Sequence, residues 1–202
     1  MDLYDAMYRM GYTPWEHPGP DWTSSLARGL DLEQAEREPP WGRALDLGCG
    51  RGQHALELVR RGWQVVGVDT AARAVDAARR RGIDGATFMV GDVTDLPVDT
   101  IGSFDFFLDI GCFQHLDASQ RARAGRGITA AAAPAATLLM MAFSRPTPIG
   151  SFVKGTSPHD MQAAFPDWDL LTVHDSPTDG MDWPQRTMKP VWIRLRRRAT
   201  EQ

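Results

Sequence analysis

The 202-residue chain predicts one α/β domain, a mostly parallel sheet covered by helices on both faces. Three observations predict it. Between Trp41 and Phe143, short apolar runs alternate with helical stretches, the pattern of βαβ units. The first three of these runs end in glycines or acids, as buried strands do when they feed loops at one sheet edge. Near the C-terminus two apolar runs are separated by a loop holding Pro177, Gly180 and Pro184, which suits an antiparallel pair.

The elements follow in order. Leu3, Tyr4, Met7 and Tyr8 repeat with helical spacing and predict a short amphipathic helix. Pro14, Pro18 and Pro20 interrupt it. Trp22, Leu26 and Leu30 resume the spacing, with Asp21 expected as N-cap. A strand over 44–47 leads to a helix over 53–61, which Gly62 closes. A second strand over 63–69 leads to a helix that Thr70 is expected to cap and Gly82 to close. Strands over 88–90 and 104–108 follow, then a helix over 117–133 and a fifth strand over 138–143. Beyond the proline-broken segment 145–150, Ser157 caps a short helix with Pro158 at its first position. Strands over 168–174 and 191–195 close the chain.

Composition sets bounds. A hydrophobic fraction of 43% supplies one substantial core. Residues 1–202 read as a single domain, with an N-terminal helical lid (1–40), a core (41–145) and a substrate-side segment with the closing strands (146–202). A net charge of -4 disfavours broad phosphate tracking. The one basic cluster, Arg194 with Arg196, Arg197 and Arg198, reads as the solvated end of the last strand. No apolar run approaches the roughly 18 residues of a membrane helix, and the first residues lack a signal-peptide pattern. Cys49 and Cys112 are too few for a disulfide framework. The expectation is a cytoplasmic, bacterial protein, monomer or homodimer, without nucleic-acid or membrane partners.

The chemistry concentrates at Asp46-Leu47-Gly48-Cys49-Gly50-Arg51-Gly52, where the first strand turns into a helix. Glycines there let a ligand approach the backbone closely, and nucleotides bind beyond the carboxyl ends of such strands. The second strand ends in Asp69, a carboxylate suited to a ribose diol. The third ends in Gly91-Asp92-Val93. A dinucleotide fingerprint needs G-x-G-x-x-G and a pyrophosphate on the helix N-terminus. Here the pattern is G-x-G-x-G, and Asp46 repels a pyrophosphate while suiting the ammonium of an amino-acid tail. The electrostatics favour S-adenosylmethionine over NAD.

These three segments resemble the cofactor motifs of class I S-adenosylmethionine-dependent methyltransferases. The resemblance implies a Rossmann-like seven-stranded sheet with an antiparallel last strand. It places Gly48, Cys49 and Gly50 against the methionine tail, Asp46 on its ammonium and Asp69, followed by Thr70, on the ribose. It places Asp92 and Val93 at the adenine, and Asp109 and Ile110 along the cofactor at the end of the fourth strand. Thr13-Pro14-Trp15-Glu16 resembles a segment of the thiopurine, halide and thiol methyltransferase group, which implies that Trp15 lies over the methionine end. The segment from Phe104 to His115 resembles F-D-x-x-x-D-R-G-x-F-H-H, departing at Ile110 and Gln114.

The implied reaction is in-line methyl transfer to a small nucleophile, sulfur preferred, oxygen or nitrogen possible. His115 reads either as a general base or as a helix cap or cofactor-tail contact. Asp109 reads as orienting the cofactor ammonium or the acceptor, or as a turn residue bonded to nearby amides. Cys112 reads as a packed small hydrophobe, and Tyr8, Tyr12 and Trp22 as mostly structural. Phe152 and Met161 are placed by position along the acceptor pocket. No histidine spacing suits a metal. The alternatives are a NAD-dependent oxidoreductase and a non-catalytic S-adenosylmethionine-binding protein.

Overall fold

The computed structural model describes residues 3–11, 13, 20–147, 153–178, 181 and 185–199. Seven strands form one sheet: β1 (Arg43–Leu47), β2 (Gln64–Asp69), β3 (Ala86–Val90), β4 (Phe104–Ile110), β5 (Ala132–Phe143), β6 (Trp168–Asp175) and β7 (Pro190–Arg197). Their order is β3-β2-β1-β4-β5-β7-β6. β1 pairs in parallel with both β2 and β4, and β7 is antiparallel to both β5 and β6. This is the expected mostly parallel sheet with an antiparallel last strand. The strand order reverses between β1 and β4, and that reversal opens a crevice at their carboxyl ends.

Helices cover both faces, as the apolar runs required. On one face lie α2 (Pro20–Ala35), α3 (Gln53–Arg60) and α4 (Ala72–Arg80). Leu26 and Leu30 of α2 and Leu58 of α3 pack there with Trp63, Leu139 and Trp192. On the other face lie α5 (Val98–Ile101), α6 (Ala118–Ala130) and α7 (Pro158–Ala164). Ile128, Met161 and Phe165 pack there with Phe107, Leu138 and Trp168. Met161, placed by position along the acceptor pocket, is fully enclosed in this core. The first helix, α1 (Leu3–Met10), packs on α4.

Local chemistry sets the helix ends. Gly62 follows α3 with φ 93°, the left-handed closure that glycine adopts without a Cβ penalty. Asp117 and Gln120 form a reciprocal capping box on α6, and Ser157 with Asp160 forms one on α7, where Pro158 comes first. Two expected caps are corrected. The second helix begins at Pro20, so Asp21 lies inside it. Ala71, not Thr70, stands at the N-cap of α4, and no side chain bonds there; its amide is held instead by the Asp69 carboxylate at 2.8 Å.

The helix expected over 117–133 stops at Ala130, and β5 starts at Ala132. Pro134 explains this, since it disfavours helical backbone at the preceding residue. Ala135 follows with φ 58°, unusual for a residue with a Cβ, at the site of a register shift between β4 and β5.

The basic C-terminal cluster is also corrected: it is not simply a solvated end. Arg194 is 4% exposed and bonds Glu33 at 2.6 Å and Glu36 at 2.7 Å. Arg196 reaches Glu33 at 3.3 Å and Thr137 at 3.1 Å, and Arg37, just beyond the end of α2, pairs with Glu33. A second Arg37 bond, to the Asp105 carbonyl at 3.1 Å, sets this clasp toward the amino-terminal edge of the sheet. It fastens α2 to β7.

Candidate active site

β1, β2, β3 and β4 lie side by side, so the acids at or near their carboxyl ends converge on the crevice. The glycine turn is held from beneath: the Gly48 and Cys49 amides both donate to the Val68 carbonyl, at 2.8 and 3.0 Å. Gly48 (φ 70°) and Gly50 (φ 52°) adopt left-handed backbone, which side chains resist. Space is short as well. A Cβ on Gly48 would fall 2.8 Å from the Cys112 Cβ, and one on Gly50 would fall 2.8 Å from the Tyr8 hydroxyl.

Asp69 shapes this turn. One carboxylate oxygen accepts from the Gly50 amide at 2.9 Å and the other from the Ala71 amide. Asp92, at the end of β3, accepts from the Thr94 amide at 2.8 Å, and Val93 beside it is buried. Thr70 is exposed. Cys49 is buried among Ala55, Leu58 and Phe88, so only its backbone meets the crevice; burial and the nearby Asp46 push its thiol well above the usual range.

Asp46 differs from the other acids. It is 1% exposed, and its Oδ2 has no hydrogen-bond partner among the described residues. Burial, then Asp109 and Asp69, push it up to about 8. A buried carboxylate without a partner is costly, and a cationic group beside it removes the cost. Asp109 is equally enclosed but satisfied: it accepts from the Cys112 amide at 3.0 Å and the Phe113 amide at 3.1 Å. Burial raises it to about 7 against those two bonds. Its visible work is the turn reading, closing the loop that leads to a 3₁₀ turn at Phe113–His115. Ile110, at the strand end, packs on the α2-side core.

His115 sits at the end of that turn, partly exposed. Cys112 is packed against the core, its thiol raised by burial and the surrounding acids, which suits packing and not nucleophilic attack. Gln114 is 4% exposed; its side-chain oxygen accepts from the Phe143 amide at 2.6 Å and its carbonyl from the Lys154 amide at 3.1 Å. It stitches the fourth-strand loop to β5 and to residue 154, a role its sequence position did not announce. Trp15, Tyr12 and Phe152 lie outside the described residues, as does the side chain of Trp22. Thr13 is described and buried.

Tyr8 is the residue that sequence spacing undervalued. It packs on Ala71 and Ala74, its hydroxyl stands at Gly50, and the Arg51 guanidinium lies 5.3 Å above its ring. α1 thus brings an aromatic hydroxyl to the glycine turn.

The cradle fits a compact, glycine-hugging ligand with a cationic tail: two left-handed glycines, a shaped turn and an orphaned buried carboxylate oxygen. Strand order and site together define the Rossmann-like methyltransferase fold. Comparison with solved structures agrees. The magnesium protoporphyrin IX methyltransferase of Synechocystis, in its S-adenosylhomocysteine-bound structure, superposes with TM-score 0.74 at 15% identity, covering 96% of this chain and 97% of that one. Residues 44–135 match the methyltransferase domain family. Among curated proteins, a 2-heptyl-1-hydroxyquinolin-4(1H)-one methyltransferase of Mycobacteroides abscessus is 30% identical over 149 residues, 71% of this chain. A ubiquinone biosynthesis O-methyltransferase of Xanthomonas axonopodis is 31% identical over 107 residues, half of this chain. The match spans 65% of the length of the first and 45% of the second.

Proposed function

We propose that the protein is an S-adenosylmethionine-dependent methyltransferase acting on a small-molecule nucleophile. The observation that carries this reading is the unpartnered, buried Asp46 oxygen beside the glycine turn, an arrangement that rewards an ammonium and repels a pyrophosphate. The domain match and the small-molecule acceptors named for the curated relatives support it.

When bound, S-adenosylmethionine supplies a methyl group on a positively charged sulfur. The chain's residues then bind and align. Asp46 neutralises the amino-acid tail, with Gly48, Gly50 and the Cys49 backbone giving the tail close access. Asp69 keeps the turn in shape and offers its remaining acceptor sites to a ribose diol. Asp92 and Val93 bound the adenine end, beyond Thr70. Asp109 is a positioning residue that fixes the loop carrying Ile110 and His115. Trp15, from the resemblance, and Tyr8, from its place at Gly50, cover the methionine end.

The acceptor is a small nucleophile, with sulfur preferred and oxygen or nitrogen possible. A thiol needs alignment more than a strong base. For a hydroxyl acceptor His115 accepts the proton. His115→Gln then lowers kcat by about 10²–10⁴-fold with hydroxyl acceptors and spares thiols. An equal loss with both acceptors gives His115 a structural role instead.

The primary test is calorimetric titration with S-adenosylmethionine and S-adenosylhomocysteine. Micromolar binding, about -8 kcal/mol, that collapses in Asp69→Ala supports the reading. No heat with either ligand refutes it.

A further inference from the structure

We propose that the enclosed acid Asp46 holds a proton in the free protein and releases it to solvent when a cationic ligand settles beside it, so that cofactor affinity rises with pH. The inference rests on the functional reading above and goes beyond it, from what binds to what leaves.

The geometry requires it. Asp46 is enclosed, and one of its oxygens has no donor among the described residues. Nearby acids add to the problem. β2 brings Asp69 and β4 brings Asp109, and both acids act against the charged form of Asp46. The glycine turn brings Cys49 and the loop after β4 brings Cys112, both thiols held neutral by burial. Arg51, the nearest cation along the turn, directs its guanidinium over the Tyr8 ring. An isolated carboxylate in such a place binds a proton sooner than it stays charged.

The two acids are not equivalent, and the register sets them on opposite faces of the sheet, since Asp109 pairs with Leu47 and Asp46 with Leu108. Asp109 accepts from two backbone amides, bonds that favour its charged form, whereas Asp46 has an orphaned oxygen. The proton therefore resides preferentially on Asp46, consistent with values of about 8 for Asp46 and about 7 for Asp109. An α-ammonium remains charged below about 7.7–8.0. Its arrival converts neutral Asp46 into a carboxylate–ammonium pair, and the displaced proton passes to buffer. No other bond changes.

The experiment is titration of the full chain with S-adenosylhomocysteine at about pH 6.5, below the ammonium range, in phosphate and in Tris. The ionisation enthalpies of these buffers differ, so the difference in heat counts protons. The expected result is close to one proton released. Affinity should also rise by up to tenfold per pH unit through the range where Asp46 is protonated, equivalent to about 1.4 kcal/mol per unit. Asp46→Asn should bind weakly with no proton release. If that variant does not bind, infrared difference spectra of the wild type decide: ligand addition should remove a protonated-carboxyl band. Tight binding with equal heats in both buffers, or an unchanged carboxyl band, overturns the proposal. Absence of binding by the wild type would instead overturn the functional reading.

Discussion

Two groups of buried charge lie toward opposite edges of the same sheet, and they are built on opposite rules. Toward the amino-terminal edge, Glu33 is enclosed, yet Arg37, Arg194 and Arg196 surround it. At the carboxyl edge, Asp46 is enclosed as deeply, and its named electrostatic neighbours are Asp69 and Asp109. The first cluster is complete within the chain and fastens a helix. The second is left uncompensated among the described residues, the condition that marks an acid in a crevice as a candidate binding group. Buried charge by itself therefore marks nothing; its state of compensation separates a clasp from a site.

The largest effect that would test this contrast is at the clasp. Glu33→Gln leaves the Arg194 guanidinium, whose side chain is 5% exposed, without its buried partner. Urea unfolding should show a loss of about 3–5 kcal/mol. Glu36→Gln should cost less than about 1 kcal/mol, because Glu36 is 44% exposed. Equal costs would break the distinction between the enclosed and the open partner.

The carboxyl edge should show the opposite behaviour, stability that falls as pH rises. Folded Asp46 keeps its proton up to about 8, whereas the unfolded chain releases it near the ordinary value of 3.8. Between those values the unfolded state binds fewer protons, so raising pH costs the free protein up to about 1.4 kcal/mol per unit. His54 acts with the reverse sign. Burial lowers it to about 4 from 6.5, so its contribution is lost as pH falls through that interval. Asp109, raised to about 7, acts in the same direction as Asp46, so unfolding curves should decline gently up to about pH 6.5 and more steeply just above it. Asp46→Asn should flatten the steep limb. His54→Gln should steepen the gentle one.

Smaller effects sharpen the comparison further. Tyr8→Phe removes the hydroxyl beside Gly50 and should weaken S-adenosylhomocysteine binding by about 0.5–1.5 kcal/mol, with the melting temperature nearly unchanged. Equal losses in binding and stability would make Tyr8 a packing residue alone. Ala135→Gly should stabilise the protein by less than about 1 kcal/mol, since relief of the left-handed backbone at φ 58° outweighs the extra freedom of the unfolded chain. The Ala135 carbonyl accepts from Arg37 at 2.9 Å, so this gain would report on the clasp edge.

Much of the site was legible because its signals are local. Asp46, Gly48, Gly50, Asp69 and Asp92 each sit at a strand end, and strand ends follow from apolar runs that stop at glycines and acids. The capping of α7 by Ser157 and Pro158 was equally local. What escaped was contact between distant segments. Arg194 lies within an apolar run, Val191 to Leu195, which hinted at burial, but nothing local revealed that Glu33 and Glu36 would meet it 161 and 158 residues away. Tyr8 showed only an apolar helical face. Asp109 and Gln114 were placed at the right loop, yet the amides that bond them belong to a turn and to β5.

The sequence by itself determined the order of strands and helices, the antiparallel closing pair and the glycine turn with its acids, because periodicity, capping and backbone freedom are properties of neighbouring residues. Tertiary structure alone decided which buried charges found partners. That outcome depends on which helix lies over which strand, and desolvation acts on a carboxylate only once the packed chain has excluded water from around it.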